Sequence, residues 1–134
     1  SSDALRIALD NVTRLGINNR AVFRKSDLFS KVRDEEKFDM IISNPPYIKT
    51  DVLQTLQDEV KKEPIMALDG GTDGFDFYRV INDKWSKKLK PNGVLMLEIG
   101  EDQGKTIIDI LSDFNSVEVL KDMYGNDRMV VAKR

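Results

Sequence analysis

Residues 44–47 of the chain, Asn-Pro-Pro-Tyr, combine residue types that could hold a flat NH₂-bearing group. Consecutive prolines fix φ and stiffen the backbone, so the side-chain oxygen of Asn44 and a proline carbonyl oxygen can face one point. Two converging acceptors bind an NH₂ group, and the ring of Tyr47 can lie against a planar amide or base. A turn that only ends a strand would explain the prolines but would not require the asparagine and the tyrosine.

A second pair of residues, Asp27 and Leu28, could contact a nucleotide-like cofactor. They follow the stretch 21–25, AVFRK, which is typical of a short strand. An acidic side chain at such a strand end can accept a hydrogen bond from an adenine amino group, while the next residue packs near the ring. A helix cap or a turn explains an aspartate here equally well.

The chain lacks two residue types that commonly take part in catalysis. It contains no cysteine and no histidine, which removes thiol nucleophiles, Ser-His dyads and the usual zinc sites. The net charge of −2 offers no electrostatic basis for gripping a phosphate backbone. Any reaction must therefore work without the commonest catalytic side chains.

Strands and helices alternate along the sequence. Apolar runs predict strands that are buried on both faces at 38–43 and 94–99, and alternation predicts two antiparallel closing strands at 117–122 and 128–133. Helical spacing predicts a helix over 2–16 that begins at a Ser/Asp cap and stops at Gly16. It also predicts a helix face at 77, 81, 85 and 89, ended by the turn residues 91–93, and a stripe at 107, 110, 111 and 114. Loops or short helices are expected at 51–62, and a glycine-rich bend at 67–74.

This alternation predicts an α/β sheet with crossover connections. Ligands of such sheets bind at the carboxyl ends of the strands, and residues 44–47 follow the strand at 38–43. At 134 residues the chain has the size of one domain or of a piece of one. It has no apolar run of membrane-spanning length and no signal-peptide pattern, which favours a cytoplasmic location.

Five stretches together resemble one family, the protein-(glutamine) methyltransferases of the HemK/PrmC type. The stretches are SDLF (26–29), NPPYI (44–48), EVKKEPIMALDGGTDGFDFYR (59–79), LKPNGVLMLEIGEDQG (89–104) and GNDRMVVAKR (125–134). The resemblance implies a class I, Rossmann-like fold that uses S-adenosyl-L-methionine. It also implies methyl transfer to the glutamine of the Gly-Gly-Gln tip of peptide chain release factors.

The same resemblance assigns roles to the candidate residues. Asn44 and Pro45 would be the acceptors for the glutamine NH₂ group, Pro46 the stiffener and Tyr47 the wall against which the amide lies. Asp27, Leu28 and Asn44 would contact the cofactor.

Three other residues and a group of glycines also lie in the quoted stretches. Glu98 ends a predicted strand and could face either the site or water, and Arg79 and Arg128 are expected to form ion pairs. The glycines at 70, 71 and 74 lack the spacing and the preceding strand of a phosphate loop, so they predict a tight bend. The resemblance implies that this bend lies beside the glutamine pocket.

The sequence also departs from the family pattern. The glycine-rich loop after the family's first strand, the acidic residue after its second strand and the substrate-recognition domain are not in it. We therefore expect residues 1–134 to be part of a catalytic domain. The family's two missing strands would lie in the middle of its sheet, between the strands at 21–25 and 38–43. The apolar edges left in this way would favour self-association or completion by another chain.

Two other functions stay open at this stage. Adenine methyltransferases that act on nucleic acid share the NPPY signature, although the acidic balance of the chain does not favour a nucleic-acid partner. A non-catalytic fragment that only binds a protein partner is the other alternative.

Overall fold

The computed structural model of the chain describes residues 1–58 and 60–134. Glu59, the first residue of the stretch quoted at 59–79, lies outside the described residues. The chain divides into two compact units, Ser1–Glu36 and Lys37–Arg134, and each is described by itself. Of the helices in the described residues, none is long and apolar enough to span a membrane.

The first unit begins with helix α1, Ser2–Arg14, as the sequence pattern predicts. The Ser1 hydroxyl accepts a hydrogen bond from a first-turn amide at 3.5 Å and so caps the helix. At the other end Gly16 adopts a φ of +66°, and its amide and the next one donate back to carbonyls of the last turn at 3.1 Å each. This closure ends the helix at the predicted glycine.

The strand predicted at 21–25 is wrong. Ala21 has extended backbone, yet residues 21–25 belong to no strand among the described residues. A strand is stabilised by a ladder of hydrogen bonds to a neighbouring strand, and a short apolar pattern does not supply that neighbour. Instead, the Arg24 guanidinium donates two hydrogen bonds of 2.6 Å to the Glu36 carboxylate. These bonds lower the pKa of Glu36 to about 2.

The second unit is built on a four-stranded mixed sheet with the order β1-β2-β4-β3. Its strands are β1 (Phe38–Ser43), β2 (Leu89–Glu98), β3 (Ser116–Lys121) and β4 (Asp127–Lys133). β1 and β2 are parallel, whereas β4 runs antiparallel to both β2 and β3. The sheet confirms the predicted strands at 38–43 and 94–99 and the closing antiparallel pair.

Only one face of the sheet is fully buried. Leu95, Leu97 and Val130 have no exposed surface on this face, whereas Met40 and Ile42 of β1 are 51% and 71% exposed on the other. The prediction that β1 is buried on both faces is therefore wrong. The physical reason is that side chains alternate between the two faces of a strand, and the face that carries Met40 and Ile42 is left uncovered, whereas Ile41 faces the core. On β2 the second face is half-buried rather than buried.

The helices α2 (Asp76–Val80) and α3 (Gly104–Ile110) provide the rest of the core. The predicted stripe of α3 is largely confirmed, because Ile107 and Leu111 are fully buried and Phe114 is 7% exposed. The last two of these side chains lie just beyond the end of the helix.

The helix predicted from residue 77 is shorter and less regular than expected. After α2 the chain continues as a π-helical turn, Ile81–Trp85, and a 3-10 turn, Ser86–Lys88. Ile81, Trp85 and Leu89 of the predicted face are buried. At the start of the helix, however, Tyr78 is fully buried while Phe77 is only half-buried.

The turn residues 91–93 do not end this helix, which corrects the predicted boundary. They lie inside β2, where Phe38 pairs with Leu89 but Met40 pairs with Val94, so the second strand carries extra residues. Asn92, with a φ of +64°, adopts the turn conformation within this irregularity.

Candidate active site

The NPPY segment, residues 44–47, leaves the sheet at the carboxyl end of β1, as predicted. Ser43 is paired with Leu97 of the parallel strand β2, so the segment starts from a fixed point of the ladder. Pro45 is buried, and a proline has no N–H that burial could leave unsatisfied. Asn44 is exposed, so a stiff and anchored backbone presents its side chain to the surroundings.

Two cavities meet at Asn44. One, of about 150 Å³, lies at the ends of β1 and β2 and is also lined by Ser43, Glu98 and Met129. The other, of about 360 Å³, is also lined by Tyr47, and by Leu68 on the opposite segment. A single residue, Asn44, therefore borders both spaces, as a residue between two reactants would.

Glu98 contacts the NPPY segment rather than only water. The Tyr47 hydroxyl donates a hydrogen bond of 3.2 Å to Glu98 Oε1. Burial, followed by the charge of Glu98, raises the pKa of Tyr47, which keeps its hydroxyl protonated as a donor. This contact decides between the two possibilities that the sequence left open for Glu98, and it holds the tyrosine ring in one place.

Arg128 stands beside the same pair. Its guanidinium lies 3.4 Å from the Asp122 carboxylate, which confirms the expected ion pair. It also opposes part of the effect of Glu98, because its charge and hydrogen bonding lower the pKa of Tyr47. The Tyr47 hydroxyl thus lies in a polar cluster of both charge signs.

The glycine-rich loop, residues 67–74, runs beside the residues that follow the NPPY segment. Ile48 donates to the Leu68 carbonyl at 3.0 Å and accepts from the Gly70 amide at 2.8 Å. A Cβ on Gly70 would stand 2.7 Å from the Cα of Tyr47, closer than packed atoms approach. The predicted tight bend is confirmed, and its glycine is needed because two backbones meet there.

Arg79 ties this loop to helix α2. Its guanidinium forms an ion pair with Asp73 in the loop and a second one, of 3.2 Å, with Asp76. The first pair lowers the pKa of Asp73 to about 2, mainly through the side-chain hydrogen bond from Arg79. The ion pairs expected for this arginine are confirmed.

Gln103 is a residue of this region that the sequence pattern did not single out. It is 5% exposed, and its side-chain NH₂ donates to the carbonyls of Tyr47 and Gly74 at 3.2 Å each. Its side-chain oxygen accepts from the Gly100 amide at 2.8 Å. A polar residue between a strand end and a buried helix stripe was the only signal for it in the sequence.

Asp27 and Leu28, the predicted cofactor contacts, lie in a turn of the first unit. The Asp27 amide donates to the Ser30 hydroxyl at 3.2 Å, and its carbonyl accepts from the Ser30 amide at 2.9 Å. The Asp27 carboxylate is exposed and has no hydrogen-bond partner among the described residues. Leu28 adopts a φ of +48°, an uncommon conformation for a leucine. Their cofactor role stays a prediction based on the resemblance.

Comparisons with known proteins point to methyltransferases. A family model described as "Eco57I restriction-modification methylase" matches residues 6–102. A release factor glutamine methyltransferase of Clostridium acetobutylicum is 44% identical over 100% of this chain and 48% of its own length. The enzyme of the same name from Thermodesulfovibrio yellowstonii is 40% identical with the same coverage. The chain thus spans about half the length of the curated relatives that it matches.

A solved structure shares the arrangement of strands and helices. The crystal structure of a methyltransferase from Pyrococcus furiosus superposes with a TM-score of 0.62 at 18% identity, covering 99% of this chain and 58% of the other. At this identity the likeness concerns the fold alone.

Proposed function

We propose a protein methylation activity, and the premise is that the chain belongs to the methylase family whose model it matches. Within that family it is a relative of release factor glutamine methyltransferases. Its fold is the α/β fold of the class I methyltransferases. The protein that carries this chain transfers a methyl group to the side-chain amide nitrogen of a glutamine. The substrate is the Gly-Gly-Gln tip of peptide chain release factors, in the cytoplasm.

The nitrogen of a carboxamide is a poor nucleophile, because its lone pair is delocalised into the carbonyl. The Asn44 side-chain oxygen and the Pro45 carbonyl accept its two N–H groups, which places partial negative charge beside the nitrogen and fixes its direction. Pro46 keeps the second acceptor in place, and the ring of Tyr47 bounds the larger cavity, where the amide lies. Positioning of this kind can carry most of the rate of an in-line displacement.

S-adenosyl-L-methionine, when bound, supplies the electrophilic methyl group. In that transfer the nitrogen would bond to the methyl carbon as the carbon–sulfur bond breaks, and the nitrogen would then lose one proton to water. The cavity of about 150 Å³ at Asn44 fits the reacting end of this cofactor. It is smaller than the roughly 300–1,000 Å³ that encloses a whole ligand of this size, so the nucleoside needs further residues. From the resemblance alone, Asp27 and Leu28 are proposed as contacts of the cofactor.

The position of Asn44 between the two cavities is the observation that carries the proposal. The test uses the full natural chain that contains these residues, labelled S-adenosylmethionine and a purified release factor. We expect label on the release factor, none when the glutamine of its Gly-Gly-Gln motif is replaced, and a loss of about 100-fold or more with Asn44→Ala. Unchanged transfer by Asn44→Ala would contradict the assigned role.

Adenine in DNA is the second candidate acceptor, because the matching family model describes a restriction-modification methylase. The net charge of −2 disfavours it, since DNA binding depends on cationic contacts to phosphates. The same assay with duplex DNA separates the candidates: label on DNA alone would replace the proposal, and label on neither acceptor would favour a protein that binds without turnover.

A further inference from the structure

We propose that Gln103 is a positioning residue for the methyl transfer, because its buried amide fixes the far end of the NPPY segment. The inference rests on the proposed function for the reaction, but the contacts on which it stands are independent of the substrate. Gln103 itself touches no reacting group; it acts through the backbone of Tyr47.

The side chain of Gln103 is held from both ends. Its NH₂ donates to the carbonyls of Tyr47 and Gly74, and its oxygen accepts from the Gly100 amide. The orientation of the amide follows from chemistry, since two carbonyls must face donors and a backbone N–H must face an acceptor. The Tyr78 hydroxyl lies 3.4 Å from the same oxygen and donates to the Glu98 carbonyl at 2.8 Å.

These contacts join three segments at one point: the residues after β2, the NPPY segment and the glycine-rich loop. The NPPY segment is anchored at its start by the pairing of Ser43 with Leu97. The prolines then fix φ, but the direction in which the segment runs also depends on where its last residue, Tyr47, is held. Gln103 holds that end at the Tyr47 carbonyl, so it determines where the Pro45 carbonyl lies relative to Asn44.

The loop alone does not replace this anchor. It contacts the chain after the NPPY segment through Ile48, but the loop itself is attached at Gly74 by the same glutamine side chain. Loss of the amide therefore removes one contact from both segments at once, and leaves the part-buried carbonyl of Tyr47 and the buried carbonyl of Gly74 without these donors.

The test compares Gln103→Met with Leu111→Ala in the full natural chain. Methionine keeps a similar length without donors, whereas Leu111 is fully buried just after α3 and its side chain makes no hydrogen bond. Below the unfolding transition we expect Gln103→Met to lower kcat by about 10- to 100-fold with KM for both substrates nearly unchanged, because small misplacements of reacting groups cost rate. Leu111→Ala should lose stability but keep kcat.

A pH profile provides a readout that a purely structural role would not move. In Gln103→Glu a buried carboxylate would face two carbonyls, which disfavours the ion and raises its pKa. When protonated, this carboxyl group can donate one hydrogen bond to a carbonyl. The ratio of kcat of Gln103→Glu to kcat of the wild type should therefore rise as pH falls. The same ratio for Leu111→Ala should not change with pH.

Amide hydrogen exchange separates failure of this inference from failure of the proposed function. We expect Gln103→Met to speed exchange at Ile48 and Gly70 by about tenfold or more relative to Leu97 of β2, whether or not any substrate is methylated. Unchanged exchange at these two amides, or a loss of kcat no greater than in Leu111→Ala, would overturn the positioning role. An inactive wild type would contradict only the proposed function.

Discussion

Gly70 shows how one missing side chain sets the position of the NPPY segment. The space where its Cβ would stand is occupied by the backbone of Tyr47, with Cα and carbonyl carbon at 2.7 and 2.8 Å. Backbone atoms cannot move aside as the end of a flexible side chain can. Any larger residue at this position must push the segment away.

We therefore expect Gly70→Ala to cost about 1–3 kcal/mol of unfolding free energy and to lower methyl transfer strongly. Gly125→Ala is the matched control. Its φ of +87° makes alanine costly as well, but nothing lies within 4 Å of the added Cβ. Urea unfolding and turnover of both variants check this. Equal activity of the two variants would mean that the close contact between Gly70 and the Tyr47 backbone does not matter for methyl transfer.

Tyr47 and Glu98 should act as a pair. Tyr47→Phe keeps the ring but removes the donor to Glu98 Oε1, and Glu98→Gln keeps an acceptor without the charge. A double-mutant cycle on kcat/KM should give a coupling of about 1 kcal/mol, because Glu98→Gln removes the charge from this half-buried hydrogen bond but not the acceptor. Strictly additive effects would show that the ring is held by packing alone.

At the scale of elements, the Asp73–Arg79 pair links the glycine-rich loop to α2. Arg79 lowers the pKa of Asp73 from 3.8 to about 2 in the folded chain. A lowered folded pKa means that this carboxylate contributes stability above pH 3.8, which is lost as pH falls towards 2.

The urea midpoint of the wild type should thus fall more steeply between about pH 4 and pH 2 than that of Asp73→Asn. Glu101→Gln serves as the control, since the Glu101 carboxylate is exposed and has no ion pair with a described residue. If both variants follow the wild-type curve, the pair does not stabilise the loop in solution.

At the scale of the whole molecule, β1 lies at an edge of the sheet and carries exposed apolar side chains. Met40 is 51% exposed and Ile42 is 71% exposed. Such an edge can pair with another chain, and a charged side chain prevents this. The self-association expected from the sequence stays a prediction, and β1 is the surface that supports it.

Light scattering of residues 1–134 should show a mass that rises with concentration. Met40→Lys should return it to the mass of one chain, because a charge on β1 opposes strand pairing. Met123→Lys makes the same change at a side chain that is 88% exposed between β3 and β4, and should leave association unchanged. Association that persists in Met40→Lys would exclude this edge.

Local patterns in the sequence determined several features directly. The apolar run at 38–43, the closing pair of strands and the stop of α1 at Gly16 all depend on neighbours within a few residues. The placement of the NPPY segment at a strand end follows from the same local order. These features could be predicted because the chain itself supplies the interactions that define them.

Only the tertiary structure decided what depends on distant partners. The open face of β1, the absence of a strand at 21–25 and the contact of Glu98 with Tyr47 each depend on which elements lie nearby. Gln103 is the clearest case, since its three backbone partners are separated from one another by up to 53 residues along the chain, from Tyr47 to Gly100. Burial and hydrogen-bond partners are properties of packed segments, so no pattern within one segment can encode them.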